Sequence, residues 1–203
     1  VGVHRAHMFR KRARLPERSG AVRARVVLAL LVHRAHMLRQ VARRPEHSGS
    51  TRARVRFGVR RSALLALADS ADVLIENFRP GTMEKLRLGW ETLCARNPRL
   101  VMGSGKGYAA DSVYRDAPAM DFPIQALTGL MSVTGFPDGP PVKCGAAITD
   151  FLGGIHLFGG IMAALHARGA TGRGDFVQIA MQDVTHHALA SNVASYLLAP
   201  DGF

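Results

Sequence analysis

The chain has 203 residues, enough for one domain with a sizeable core. It holds two cysteines, Cys94 and Cys144, in unrelated contexts, which excludes a disulfide framework and a cysteine-built metal cluster and makes a reducing cytoplasm the expected location. The net charge of +12 is unevenly spread: residues 1–61 hold 17 Lys+Arg against Glu17 and Glu46, whereas residues 62–203 hold 10 against 13 acids, so +15 meets −3 near residue 62.

Residues 1–61 repeat themselves. "VHRAHMFRKRARLPERSGAVRARV" from Val3 returns as "VHRAHMLRQVARRPEHSGSTRARV" from Val32, with 17 of 24 positions identical. Two copies are too few for a solenoid, which needs about three units to bury a core. Phe9 and Phe57 are the only aromatics of this leader. Three readings compete: an arginine arm that binds nucleic-acid phosphates without sequence preference, a disordered tail, and a GC-rich stretch translated out of frame and duplicated. The third is favoured, nucleic acid is not the expected partner, and no secondary structure is expected in the leader. "VVLALLV" (26–32) is apolar but too short, with Arg on both sides, to be a secretory signal.

From residue 62 the pattern is that of an α/β protein. "SALLALADSA" (62–71) reads as a helix end and "DVLIENF" (72–78) as a buried parallel strand. "RPGTMEKLRLGWETLCARNP" (79–98) predicts a Pro-Gly turn and one or two short helices stopping before Pro98. "RLVMGSGKGY" (99–108) reads as a strand running into a glycine loop, and "MDFPIQALTGLMSVTG" (120–135) as a helix started or interrupted near Pro123. A turn-rich loop (136–145) precedes a glycine-rich helix over 150–168, then come a turn, the strand "FVQIA" and a further helix to about Leu198. Strands alternating with helices predict a partial Rossmann-like parallel sheet with flanking helices. "FLGGIHLFGGIMAAL" (151–165) falls short of the roughly 20 residues of a membrane span, contains His156 and reads as a buried helix, so no membrane partner is expected.

"GSGKG" (103–107) fails as a phosphate loop, because Leu100 and Gly107 stand where glycine and Ser/Thr are needed. "RGD" (173–175) lies in a predicted turn, and the adjacent His186 and His187 cannot share a helix face, so no metal site is expected. Asp150 is different. It is the only Asp, Glu, Lys or Arg between Lys143 and Arg168, and glycines 145, 153, 154, 159 and 160 surround it. It either caps the helix that follows or presents a carboxylate at the carboxyl side of the sheet, with room for a bulky ligand and covalent catalysis. The spacing does not choose between these.

Three stretches, "ADVLIENFRPGTMEKLRLGWETLCARNPRLV", "YRDAPAMDFPIQALTGLMSVTGFPDGPPVK" and "GAAITDFLGGIHLFGGIMAALHARGATGRGDFVQIAMQD", resemble the family III CoA-transferases in sequence and order. The resemblance covers residues 62 to about 198 and implies transfer of coenzyme A between an acyl-CoA and a carboxylic acid. By this resemblance Asp150 attacks the donor thioester, a mixed anhydride forms, CoA thiolate returns to give an aspartyl-CoA thioester, and the acceptor acid receives CoA. The "ENFRPG" turn implies Asn77, Phe78 and Arg79 as contacts to the nucleotide end of CoA, with Lys85 as a phosphate partner. Met120 and Asp121 match the segment lining the pantetheine and thioester end; core packing and a helix cap are their alternatives. The related α-methylacyl-CoA racemases carry a histidine where Met120 stands, and methionine moves no proton. The resemblance further implies acyl-CoA as substrate with no permanently bound cofactor, and a homodimer for full members. It also implies a nucleotide-binding start before residue 62 and a second domain after residue 203. The expectation is therefore a non-homologous leader (1–61) joined to a partial large domain (62–203), an incomplete chain that carries a recognisable transferase site and whose own activity the sequence leaves open.

Overall fold

The computed structural model describes residues 61–198 together with the backbone of Val26–Leu28. Four strands form one sheet in the order β1–β2–β3–β4: Val26–Leu28, Val73–Glu76, Val101–Lys106 and Phe176–Ala180. Every pair is parallel, with Val73 opposite Val101 and Met102 opposite Phe176. The helices are α1 (61–68), α2 (Thr82–Lys85), α3 (Trp90–Arg96), α4 (Asp121–Leu127), α5 (Ile148–Thr171), α6 (Met181–Ala188) and α7 (Ala190–Leu198).

Alternation along β2 and β3 sorts side chains to two faces. Leu74, Leu100 and Met102 join Leu65, Ala68, Met83, Leu88 and Leu93 in one core, so α1, α2 and α3 cover one face of the sheet. Val73 and Val101 join Leu157, Ile161 and Ala164 of α5 in a second core on the other. Both strands are apolar on consecutive residues because both faces are covered. Trp90 stacks on Phe176 with ring centroids 5.8 Å apart.

Three expectations are corrected. The composition of the leader predicts no secondary structure, yet Val26–Leu28 pairs in parallel with Val73–Ile75 as the edge strand β1; the open edge of β2 is a template that a β-branched apolar run can extend. The rest of the leader, and with it the nucleic-acid reading, lies outside the described residues. The pattern predicts a loop for the glycines of "GSGKG", but Gly103 and Gly105 belong to β3. They are there because α5 lies close: a Cβ at Gly103 would stand 2.7 Å from Ile161 Cδ1.

The third correction concerns α5. It spans 24 residues, not 19, and by length and composition alone could cross a membrane. Its packing gives it another role. Thr149, Gly153, Leu157, Ile161, Ala164 and Arg168 face the sheet and its neighbours, and the Arg168 guanidinium binds the Asp72 carboxylate at 2.8 Å and the Arg99 carbonyl at 2.8 Å. Only that face is buried among the described residues: Phe151, Ile155, Phe158 and Met162, at helical spacing, are 49–66% exposed.

The glycines of α5 divide by face. A Cβ on Gly160 would stand 2.6 Å from Val177 Cγ1, whereas one on Gly159 would meet nothing within 4 Å. Gly160→Val should therefore destabilise the chain by about 1–3 kcal/mol through overpacking, while Gly159→Ala should stabilise it by about 0.5–1 kcal/mol through helix propensity. Urea unfolding of the two variants checks both signs.

Candidate active site

Helix α5 starts without a cap of its own. Ala147 holds the N-cap position and contributes no side-chain hydrogen bond. The exposed N–H groups of a first turn need acceptors, and one is supplied from α4. Asp121 Oδ1 accepts from Thr149 N and Thr149 Oγ1, both at 2.9 Å. Asp121 Oδ2 accepts from Gln125 Nε2 at 2.7 Å, and Lys143 Nζ stands 3.9 Å away. Gln125, fully buried, also accepts from Cys144 N at 2.9 Å, which ties the incoming loop to α4. Burial would raise the Asp121 carboxyl. The Thr149 side-chain and backbone hydrogen bonds, the Gln125 amide and the Lys143 charge outweigh it and hold Asp121 below the usual carboxylate range.

Asp150 does not hold the capping position. It is the third residue of α5 and is exposed, and its carboxylate hydrogen-bonds or ion-pairs with no described residue. It lines an open depression of about 390 Å³ with Ala147, Phe151, Gly154 and Ile155. Partial desolvation there, and then the neighbouring Asp121 carboxylate, raise its carboxyl above the usual range. A more basic carboxylate is a better nucleophile wherever it remains ionised, and the first turn of a helix favours negative charge. Of the five glycines read as room around Asp150, Gly153 faces Met181 and Ile179 and Gly160 faces Val177, so these two serve packing. Gly145, Gly154 and Gly159 have open space.

Because Gly153 packs on Ile179 and Met181, at the carboxyl end of β4, the start of α5 stands at the carboxyl edge of the sheet. The "ENFRPG" turn leaves the same edge from β2. Asn77 and Arg79 are exposed, Phe78 is half-buried against the first core, and Lys85 is exposed on α2. Asn77 and Leu157 both flank Gly105 of β3. Met120 is the extended residue ahead of α4 and is 69% exposed, so it is not a core residue, whereas Asp121 takes the capping role for α5. The turn residues and Asp150 share the carboxyl edge of the sheet.

Nothing in their own stretches marks Thr149 and Lys143, or Glu76, Ser104 and Lys106 at the ends of β2 and β3, as site residues; the fold alone brings them into contact. One signal was available: Asp121 and Gln125, four apart, place two polar groups on one face of a short apolar helix.

The sequence profile described as CoA-transferase family III matches residues 59–202, well over half of the chain. The chain belongs to CoA-transferase family III. Within that family it is 42% identical over 134 residues to the acetyl-CoA:oxalate CoA-transferase of Acetobacter aceti, covering 64% of this chain and 34% of the relative. It is 44% identical over 122 residues to the formyl-CoA:oxalate CoA-transferase of Streptomyces avermitilis, covering 60% and 30%. The crystal structure of a CAIB/BAIF family protein from Brucella suis superposes with a TM-score of 0.65 at 36% identity, over 70% of this chain and 37% of that one. The chain thus spans about a third of the length of these relatives. The partial parallel sheet expected from the sequence is the fold that this family III segment adopts.

The two carboxylates should titrate with opposite consequences for stability. Asp121 is lowered in the folded chain, so its stabilisation is present above the unfolded carboxyl value of about 4 and is lost as pH falls through the lowered value. Asp150 is raised, so its contribution is present at acid pH and is lost as pH rises through the raised value. Asp121→Asn is expected to cost about 1–3 kcal/mol near neutral pH and to flatten the acid limb. Asp150→Asn should leave neutral-pH stability unchanged or higher. Urea midpoints measured across the acid-to-neutral range decide both.

Proposed function

We propose that this family III chain transfers coenzyme A from an acyl-CoA to a carboxylic acid, with Asp150 as the covalent carrier. One observation carries the reading: an unpartnered carboxylate of raised basicity opens on a depression at the start of α5, while a second carboxylate, Asp121, accepts the free first-turn N–H of that helix.

The chemistry balances at each step. The Asp150 carboxylate attacks the acyl carbonyl of the donor; the C–S bond breaks, CoA leaves as thiolate, and a mixed anhydride forms. The thiolate attacks the aspartyl carbonyl, releases the donor acid as its carboxylate and leaves an aspartyl-CoA thioester. The acceptor carboxylate attacks that thioester and again expels CoA thiolate. The thiolate then takes the acceptor's acyl group and restores the Asp150 carboxylate. Each exchange trades a thioester for an anhydride or the reverse, so no step faces an unactivated carboxylate as electrophile.

Asn77, Phe78 and Arg79 are proposed to receive the nucleotide end of CoA, with Lys85 as a point-charge partner for phosphate. Arg79 and Lys85 are exposed beyond the carboxyl edge of the sheet, where open parallel sheets bind ligands. Met120 borders the thioester end, and Asp121 acts as a positioning residue through Thr149. Met120 has no titratable group, which argues against proton transfer at this point and so against racemisation. The oxalate acceptors named for the relatives make a small dicarboxylic acid the first acceptor to try.

Incubation with acetyl-CoA followed by hydroxylamine should yield a hydroxamate at Asp150, read by peptide mass spectrometry, and Asp150→Asn should abolish it. A chain that accumulates no adduct at this residue would overturn the proposal. Arg79→Ala should raise the acetyl-CoA concentration for half-maximal adduct by roughly tenfold, the scale of one lost hydrogen bond to a charged group.

A further inference from the structure

The last residue of β2 and the last residue of β3 form a buried cluster that the transfer chemistry does not use. Glu76 is 5% exposed. Its carboxylate accepts from the Ser104 hydroxyl, directly across the ladder, and from Lys106 Nζ at 2.7 Å (Oε1) and 3.0 Å (Oε2). The remaining contacts reach forward into the turn. Phe78 N donates to Glu76 Oε2 at 2.8 Å, and Lys106 Nζ donates to the Phe78 carbonyl at 2.7 Å. Both backbone polar groups of Phe78 are therefore held by one ion pair, and the Lys106 side chain is only 10% exposed.

A buried ion pair is weak evidence for stability, since desolvation offsets its attraction. Its geometric effect is specific, however. Phe78 sits between two exposed polar side chains, Asn77 and Arg79, in a stretch outside any helix or strand. With Phe78 fixed at both its N–H and its C=O, its neighbours lose the freedom that would otherwise be lost on meeting a ligand.

We infer that Glu76 and Lys106 are positioning residues that hold the Asn77–Arg79 turn in the conformation that receives the nucleotide end of coenzyme A. The inference rests on the reading of that turn given above and adds the strand-end pair that shapes it. It requires the pair to act on recognition of the nucleotide, a part of the substrate distant from the reacting thioester.

The test compares acetyl-CoA with S-acetylpantetheine, which lacks the nucleotide, as acyl donors to the 203-residue chain. The readout is the donor concentration for half-maximal hydroxylamine-trapped adduct at Asp150. The unmodified chain should prefer acetyl-CoA. The double variant Glu76→Gln, Lys106→Met leaves no unpaired buried charge and should lose that preference by roughly tenfold or more, the scale of a lost contact to a charged group. Lys106→Arg keeps the charge, but its planar fork cannot place donors as the ammonium does; it should lose part of the preference and decides the matter should the double variant fail to fold. A purely structural role would move the thermal midpoint and leave the ratio between the two donors alone. Unchanged preference in the folded variants, or no preference in the unmodified chain, overturns the inference while the Asp150 reading stands. No adduct from either donor overturns both.

Discussion

Helix α5 is held at its start by a carboxylate from another helix, which accepts one of its free first-turn N–H groups. The contact between Asp121 and Thr149 joins residues 28 apart in the chain and does what a capping side chain normally does from the residue next door. Its consequence falls on Asp150. Two carboxylates sit at one helix start, and their surroundings drive them in opposite directions: Asp121, saturated with donors, is lowered, and Asp150, without partners, is raised. When neighbouring acids are pushed apart in this way they can hold different roles. One holds the helix and the other opens on the depression beside it.

The rest of the structure keeps α5 in register with the sheet. At the amino edge, Arg168 in its last turn reaches the Asp72 carboxylate and the Arg99 carbonyl. Along its length, the contact faces of Gly103 and Gly160 bring helix and strands closer than any side chain would allow. At the carboxyl edge, Gly153 meets Met181 while Asp121 holds Thr149. A helix held at both ends and keyed in the middle has little freedom to slide, and the Asp150 carboxylate on its first turn inherits that fixity. The Glu76–Lys106 pair, at the same edge, does for the turn after β2 what Asp121 does for α5.

Much of this was legible in the residues. The apolar runs at 72–78 and 99–102, the Pro-Gly turn at 80–81 and the glycine-rich helix mark the elements correctly, because period, breakers and length are local properties. The glycines were legible as glycines but not as to purpose. "GSGKG" has the composition of a loop, and only the helix lying across it shows why a strand would need such small residues. The leader's Val26–Leu28 shows the same limit, since three β-branched and aliphatic residues become a strand only when a partner edge stands beside them.

Asp150 shows where the boundary lies. From the sequence alone it was a carboxylate among small residues, either a cap or a nucleophile, and the order of residues determined only that one charge would stand at the start of an apolar helix. Which of the two carboxylates caps was decided by the tertiary structure, because hydrogen bonding depends on what comes within about 3 Å and chain distance does not report that. The same holds for Glu76 and Lys106. Each is an ordinary charged residue in its own stretch, and they become a buried pair only when β2 and β3 are laid side by side in register.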